Sequence, residues 1–221
     1  MANALAESMP DPEGGHGVDP GAFPRVAEYL DRLPDGLDSY PEYQAKASLH
    51  LGTLGPKMAE IDPEGLGPRL GDFLRAPRPV SAWVPETVNA ALQLALADAC
   101  FPGQDFAYFD YVEQRAAEIY SGNLYSVLMR VVSPRMLAKG ATRRWKAFRR
   151  GIDYRVEIQD NGTRSTLHFP RDLYNEVLLL SYGRVVQAAY HVGSAPRAVV
   201  RLVEFDAESA TYESTWDPEK E

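Results

Sequence analysis

A chain of 221 residues, 45% hydrophobic and 10% aromatic, has enough apolar side chain for a substantial core and the composition of a folded globular protein. Its formal net charge of −8 speaks against general nucleic-acid binding, because a protein that neutralises many phosphates is basic overall. The single cysteine, Cys100, excludes an internal disulfide and a cysteine-based zinc site, and no apolar run approaches the roughly 20 residues that span a bilayer, so a soluble cytoplasmic protein with no membrane span is expected.

Residues 1–23 are rich in Gly, Pro and acids without hydrophobic period, which predicts a disordered leader. Residues 24–80 read as a helical cap broken by prolines. Val26, Tyr29, Leu30 and Leu33 make a short amphipathic helix before the turn Pro34-Asp35-Gly36. Ser39-Tyr40-Pro41 is a second helix start, carrying Ala45, Ala47, Leu49 and Leu51. Asp62-Pro63-Glu64 opens a third, with Leu66, Leu70, Phe73 and Leu74. Residues 81–217 then form an α+β domain. A helix is expected over 83–100, where Val88, Ala91, Leu92, Ala95 and Leu96 recur at helical spacing, and a longer one over 105–132, interrupted at Gly122.

Residues 129–151 hold eight of the 23 Lys and Arg and no acid. Ser133-Pro134 is a helix start, the hydroxyl accepting a backbone N–H and the proline occupying the first helical position. A 3.6-residue wheel places Arg135, Lys139, Arg143, Lys146, Arg149 and Arg150 on one side and Leu137, Ala141, Trp145 and Phe148 on the other. The apolar side must dock on a core. The basic side is either a solvated surface paired with Asp31, Asp35, Asp38 and Glu42, or a site for an acidic protein partner or small anionic ligand.

After Gly151 the period changes to 2. Tyr154, Val156 and Ile158 alternate with polar residues, and Asp160-Asn161-Gly162-Thr163 is a hairpin turn that calls for positive φ at Asn161 and Gly162. A return strand over 164–169 leads to Pro170-Arg171-Asp172, a buried helix over 173–192 ended by Gly193, strands over 198–205 and 210–216, and a charged tail at 218–221. Helices, hairpin, helix and hairpin in that order predict an α+β fold: a helical N-terminal half on a small antiparallel sheet made of two hairpins, with a buried helix between them.

The order Trp83-Val84-Pro85-Glu86, Tyr125 to Arg130 with Ser133-Pro134, Arg144-Trp145, Phe169-Pro170, Gly183 and Tyr212-Glu213-Ser214-Thr215-Trp216 resembles a group of myxobacterial and deltaproteobacterial paralogues. The helical front followed by hairpin, helix and hairpin also looks like haem-NO-binding and 4-vinyl-reductase-type ligand-binding domains. That resemblance implies a sensory, regulatory or scaffolding module. It also implies an iron-ligating His and a Tyr-x-Ser-x-Arg cluster in the haem-binding members, and paired cysteines in the metal-binding ones. Here the nearest string is Tyr212-x-Ser214-x-Trp216 and the paired cysteines are missing, so no cofactor and no metal are expected.

No Gly-x-Ser-x-Gly elbow, phosphate-binding loop, His-Glu-x-x-His or calcium loop occurs. His50, His168 and His191 have no helical metal spacing and read as structural, as does Cys100 at the end of an apolar helix. No catalytic residue is assigned. The first reading is therefore a non-enzymatic regulatory, sensory or scaffolding module whose basic helix face meets a partner protein or small ligand. The second is an enzyme for a small aromatic or hydrophobic anionic substrate, in a helix–sheet pocket built from Tyr120, Tyr125, Trp145 and Phe148.

Overall fold

The computed structural model describes residues 16–122 and 133–217. Helix α4 (Glu86–Cys100) lies at the centre, with residues 86–98 all buried. A helix apolar around most of its circumference belongs in the interior, and several of its polar side chains there meet specific partners. The Thr87 hydroxyl donates to the Leu37 carbonyl at 2.8 Å. The Asp98 carboxylate accepts the backbone N–H groups of Arg25 and Val26. It thereby caps α1 (Pro24–Arg32), whose own N-cap residue, Phe23, offers no side-chain acceptor.

The expected cap and the expected α+β domain share one core. Val26 and Leu30 of α1, Leu54 of α2 (Ser48–Leu54) and Leu70 of α3 (Gly67–Arg75) cluster with Leu167, Leu178 and Tyr212. Strand pairing also crosses the expected boundary at residue 80. β1 (Gln44–Lys46) runs between β2 (Trp83–Pro85) and β3 (Arg149–Arg150), antiparallel to both. Residues 44–46 and 83–85 are thus strands where helix was expected, because pairing with distant chain overrides local helical spacing. Tyr40 sits at φ 56° in what was expected to be the second helix, which begins only at Ser48. The described part of the expected leader is docked: the Asp19 N–H donates to the Gly65 carbonyl at 2.7 Å and Phe23 is 2% exposed. Residues 1–15 and the tail 218–221 lie outside the described residues; of the helix expected over 105–132, α5 (Asp105–Ser121) is described and residues 123–132 are not.

The main sheet has the order β4 (Asp153–Gln159), β5 (Gly162–His168), β7 (Ser209–Thr215), β6 (Val199–Phe205), antiparallel throughout, as an α+β fold built from two hairpins requires. Between the hairpins, α7 (Glu176–Val192) packs on the sheet and on α5. It starts at Glu176 because the Asn175 side chain accepts the Leu178 N–H at 3.0 Å, leaving Leu173 and Tyr174 buried in the preceding turn. α6 (Pro134–Phe148) joins the helical half to β3.

The first hairpin turns at Asp160 and Asn161, between the paired Gln159 and Gly162, and neither Asn161 nor Gly162 has positive φ. Gly162 answers a different requirement. A Cβ there would stand 2.3 Å from the Ser214 carbonyl oxygen of β7. Gly162→Val should therefore cost about 1–3 kcal/mol by forcing two paired strands apart, read as a lower urea midpoint at constant slope.

His50 is fully buried in α2 with neither ring nitrogen hydrogen-bonded, and burial pushes its pKa down to about 4. The unfolded chain binds a proton near pH 6.5 that the folded chain refuses until about pH 4, so stability is retained above that window and falls through it. The loss is on the order of 3 kcal/mol. Urea midpoints at pH 7 and pH 4.5 should differ less for His50→Leu than for the native chain.

Candidate partner-binding face

The Ser133 hydroxyl oxygen accepts the Met136 N–H at 3.4 Å and Pro134 occupies the first turn, so α6 starts where the sequence predicts. It docks through Leu137 and Ala138 onto a small cluster with Tyr190, Ala195, Ala198 and Trp216. Nearer its end, Trp145 packs on Tyr154, ring centroids 4.9 Å apart. Phe148, expected to help pin the helix, is 38% exposed. Arg135, Lys139, Arg143 and Lys146 lie on the outward side with Met136, which is 58% exposed.

Arg149 does not belong to that face. The helix ends at Phe148, and in the extended β3 successive side chains alternate by 180° instead of advancing by 100°. Arg150 therefore points outward over the Trp83 ring, 3.9 Å from its centroid, and Arg149 turns inward. The Arg149 guanidinium lies 4.4 Å from the Trp145 ring and 4.7 Å from the Tyr182 ring, and its Nε donates to Glu86 Oε1 at 3.4 Å. The same carboxylate oxygen accepts from Asn89 Nδ2 at 2.8 Å and lies 3.5 Å from the Tyr182 hydroxyl. Glu86 is 0% exposed and Arg149 9%. Burial works against the Arg149 charge, but Glu86 and the surrounding phenols outweigh it and hold the guanidinium protonated well above its ordinary range. Burial pushes the Tyr182 phenol up to about 12.

The acids expected to neutralise the basic helix are not engaged with it. Asp38 pairs with Arg69 at 2.6 Å, Asp31 lies 3.7 Å from His16, and neither Asp35 nor Glu42 ion-pairs with α6. Among the described residues eleven arginines, Arg149 included, are ion-paired. Among the described residues Arg135, Lys139, Arg143, Arg144, Lys146 and Arg150 have no carboxylate within 4.0 Å; Arg144 donates instead to the Leu137 carbonyl. Of the nine described lysines and arginines outside any ion pair, six thus lie on one helix and the strand that follows it, and Lys46, Arg78 and Arg201 are the others.

The expected pocket residues do not converge. Tyr120 packs beside the Leu137 cluster, Trp145 is partly buried against the main core, Phe148 is at the surface, and Tyr125 lies outside the described residues. A widely open groove of about 350 Å³ runs between α5 and α7 and is lined by Asp110, Glu113, Gln114 and His191. Its central carboxylate is already occupied. Glu113 binds Arg184 at 3.2 Å, His191 at 3.1 Å and the Gln187 amide. Among the described residues no group of three His, Cys, Asp or Glu is placed to hold a metal, and no helix is long and apolar enough to cross a membrane. Burial pushes the Cys100 thiol up, away from reactivity.

Glu86, Tyr182 and Trp83 were not singled out as site residues from the sequence. The visible signal for Glu86 is an acid in the first turn of a helix whose next acid comes only at Asp98.

No family model matches this chain, and no curated protein matches it. Among solved structures, the crystal structure of an H-NOX protein mutant from K. algicida, in its Fe(II) unliganded state, is similar in fold. The identity is 12% and the TM-score 0.47, over 79% of this chain and 97% of that one. Two chains alike at this level need share neither ligand nor role.

Proposed function

We propose that this protein is a non-catalytic docking module whose α6 face receives an acidic segment of a partner protein. The observation that supports this reading is the distribution of ion pairs. Acids outnumber bases by eight, yet among the described residues four exposed cations of α6 have no carboxylate beside them. Charges left uncompensated on a rigid helix are pre-oriented for an incoming carboxylate, and the bonds they would make are charge-assisted. Docked Leu137, Ala138 and Trp145 fix the helix, so little side-chain scaffold has to be ordered on binding. Nucleic acid is the poorer occupant, because the remaining surface is acidic and repels a long polyanion.

The test is a titration with fluorescently labelled polyglutamate and polylysine at about 0.1 M salt, where the Debye length of about 10 Å confines each charge to its neighbourhood. Saturable polyglutamate binding by a protein of net charge −8 is the expected result. Binding of polylysine alone would mean that the overall charge governs association and would remove the role given to α6.

A further inference from the structure

Beside α6, the three-stranded sheet β2–β1–β3 presents a second cationic feature. Opposite residues of neighbouring strands share a face, so the register Lys46↔Trp83 and Gln44↔Arg150 lays these four side chains on one surface. Arg150 reaches across β1 to Trp83, with its Cζ 3.9 Å from the ring centroid, and its Nη1 donates to Gln44 Oε1 at 3.4 Å. Lys46 Nζ stands 4.0 Å from the same centroid and donates to the Ser81 carbonyl. Two cations thus share one indole, and neither has a carboxylate within 4.0 Å among the described residues.

We propose that Lys46 and Arg150, held over Trp83 with Gln44 beside them, form a carboxylate subsite that takes a Glu or Asp side chain of the acidic segment docked on α6. The inference rests on the docking role of α6 and extends it, naming a second anchor four residues beyond Lys146. The indole holds each cation by attraction to its negative face and spares it the entropy of a free side chain. Because the ring is neutral, the positive charge on the two heads stays uncompensated, and two such heads repel until an anion sits between them. Arg150 and Lys46 retain N–H groups for that anion, since one contact of each is spent on Gln44 and on Ser81. Trp83 also supplies the readout. It is partly exposed and lies beneath both cations, whereas Trp216 is 5% exposed and the partly buried Trp145 has its indole nitrogen buried.

The experiment is quenching of tryptophan fluorescence at constant ionic strength by iodide, an anion, and by acrylamide, which is neutral. In the native chain iodide should quench Trp83 efficiently. In the Lys46→Gln/Arg150→Gln variant iodide quenching should fall by at least about twofold, because the local anion concentration drops. Acrylamide quenching should hold or rise as the ring is uncovered. Equal changes for both quenchers would overturn the subsite. Polyglutamate should then protect Trp83 from iodide in the native chain. If the peptide binds while Trp83 stays open to iodide, the subsite is not part of the docking surface, and the role of α6 survives. If peptide binding is lost in a chain altered only at Lys139, Arg143 and Lys146 while iodide still prefers Trp83, the role of α6 and the anion preference of the subsite both stand.

Discussion

Replacing Arg149 by Ala should destabilise the fold by about 3–5 kcal/mol, the largest loss expected from any single change near the basic face, and should do so without weakening anion capture by α6. The reason is asymmetric. Taking the Glu86 carboxylate and the Arg149 guanidinium out of water costs several kcal/mol each, and their attraction recovers that only while both are present. Removing the guanidinium leaves a carboxylate at 0% exposure whose Oε2 has no hydrogen-bond partner and whose Oε1 keeps only Asn89 and Tyr182. It also removes the plate packed between Trp145 and Tyr182, so the end of α6 loses its anchor. The double change Arg149→Met/Glu86→Leu should recover most of the loss, since no charge remains to be buried. Urea unfolding of the two single variants and the double would separate these terms, and additive losses would contradict the coupling. Had Arg149 stood on the basic face, as helical spacing alone predicts, its removal would leave stability nearly unchanged and cost binding instead.

That difference shows where the sequence is legible. The α+β class, the two hairpins, the helix between them and the start of α6 depend on interactions within a few residues: a Ser-Pro cap, a period of 2, a two-residue turn. Such signals are read locally. The small sheet β2–β1–β3 joins residues near 45, 84 and 149, and each of its strands has at most three residues, too few to establish a period. Local spacing therefore assigns its segments to neighbouring helices. The Glu86–Arg149 contact spans 63 residues and depends on that sheet, so wheel geometry extended one residue past Phe148 assigns Arg149 to the wrong side. For Asp31, Asp35, Asp38 and Glu42 the sequence supplies the charges but not their partners. Asp38 goes to Arg69 because α3 brings that arginine beside it, a placement decided by the packing of Leu66 and Leu70 in the core.

Reversing Arg135, Lys139, Arg143 and Lys146 to Glu together should weaken polyglutamate binding by at least about tenfold at low salt and flatten its salt dependence. Each of the four side chains is exposed and has no carboxylate neighbour among the described residues, so the change removes attraction, adds repulsion and breaks no ion pair among them. The melting temperature should accordingly stay within about 3 °C of the native value. Because the reversal also makes an acidic protein more acidic, the decisive comparison is a variant with the same net charge and the reversals elsewhere. Arg32, Arg69, Arg75 and Arg171 serve, being exposed and more than 20 residues in sequence from α6. If attraction is local, this second set should leave most of the binding intact at about 0.1 M salt, where screening shortens the reach of each charge to about 10 Å. Equal loss in both sets would assign binding to net charge and leave α6 an ordinary solvated helix. The local outcome follows from the way the molecule distributes its bases. Among the described residues most arginines elsewhere are spent on neighbouring acids, Arg78 and Arg201 excepted, and the run from Arg135 to Lys146, with no acid of its own and no ion pair among those residues, is the densest set of cations left for an outside partner.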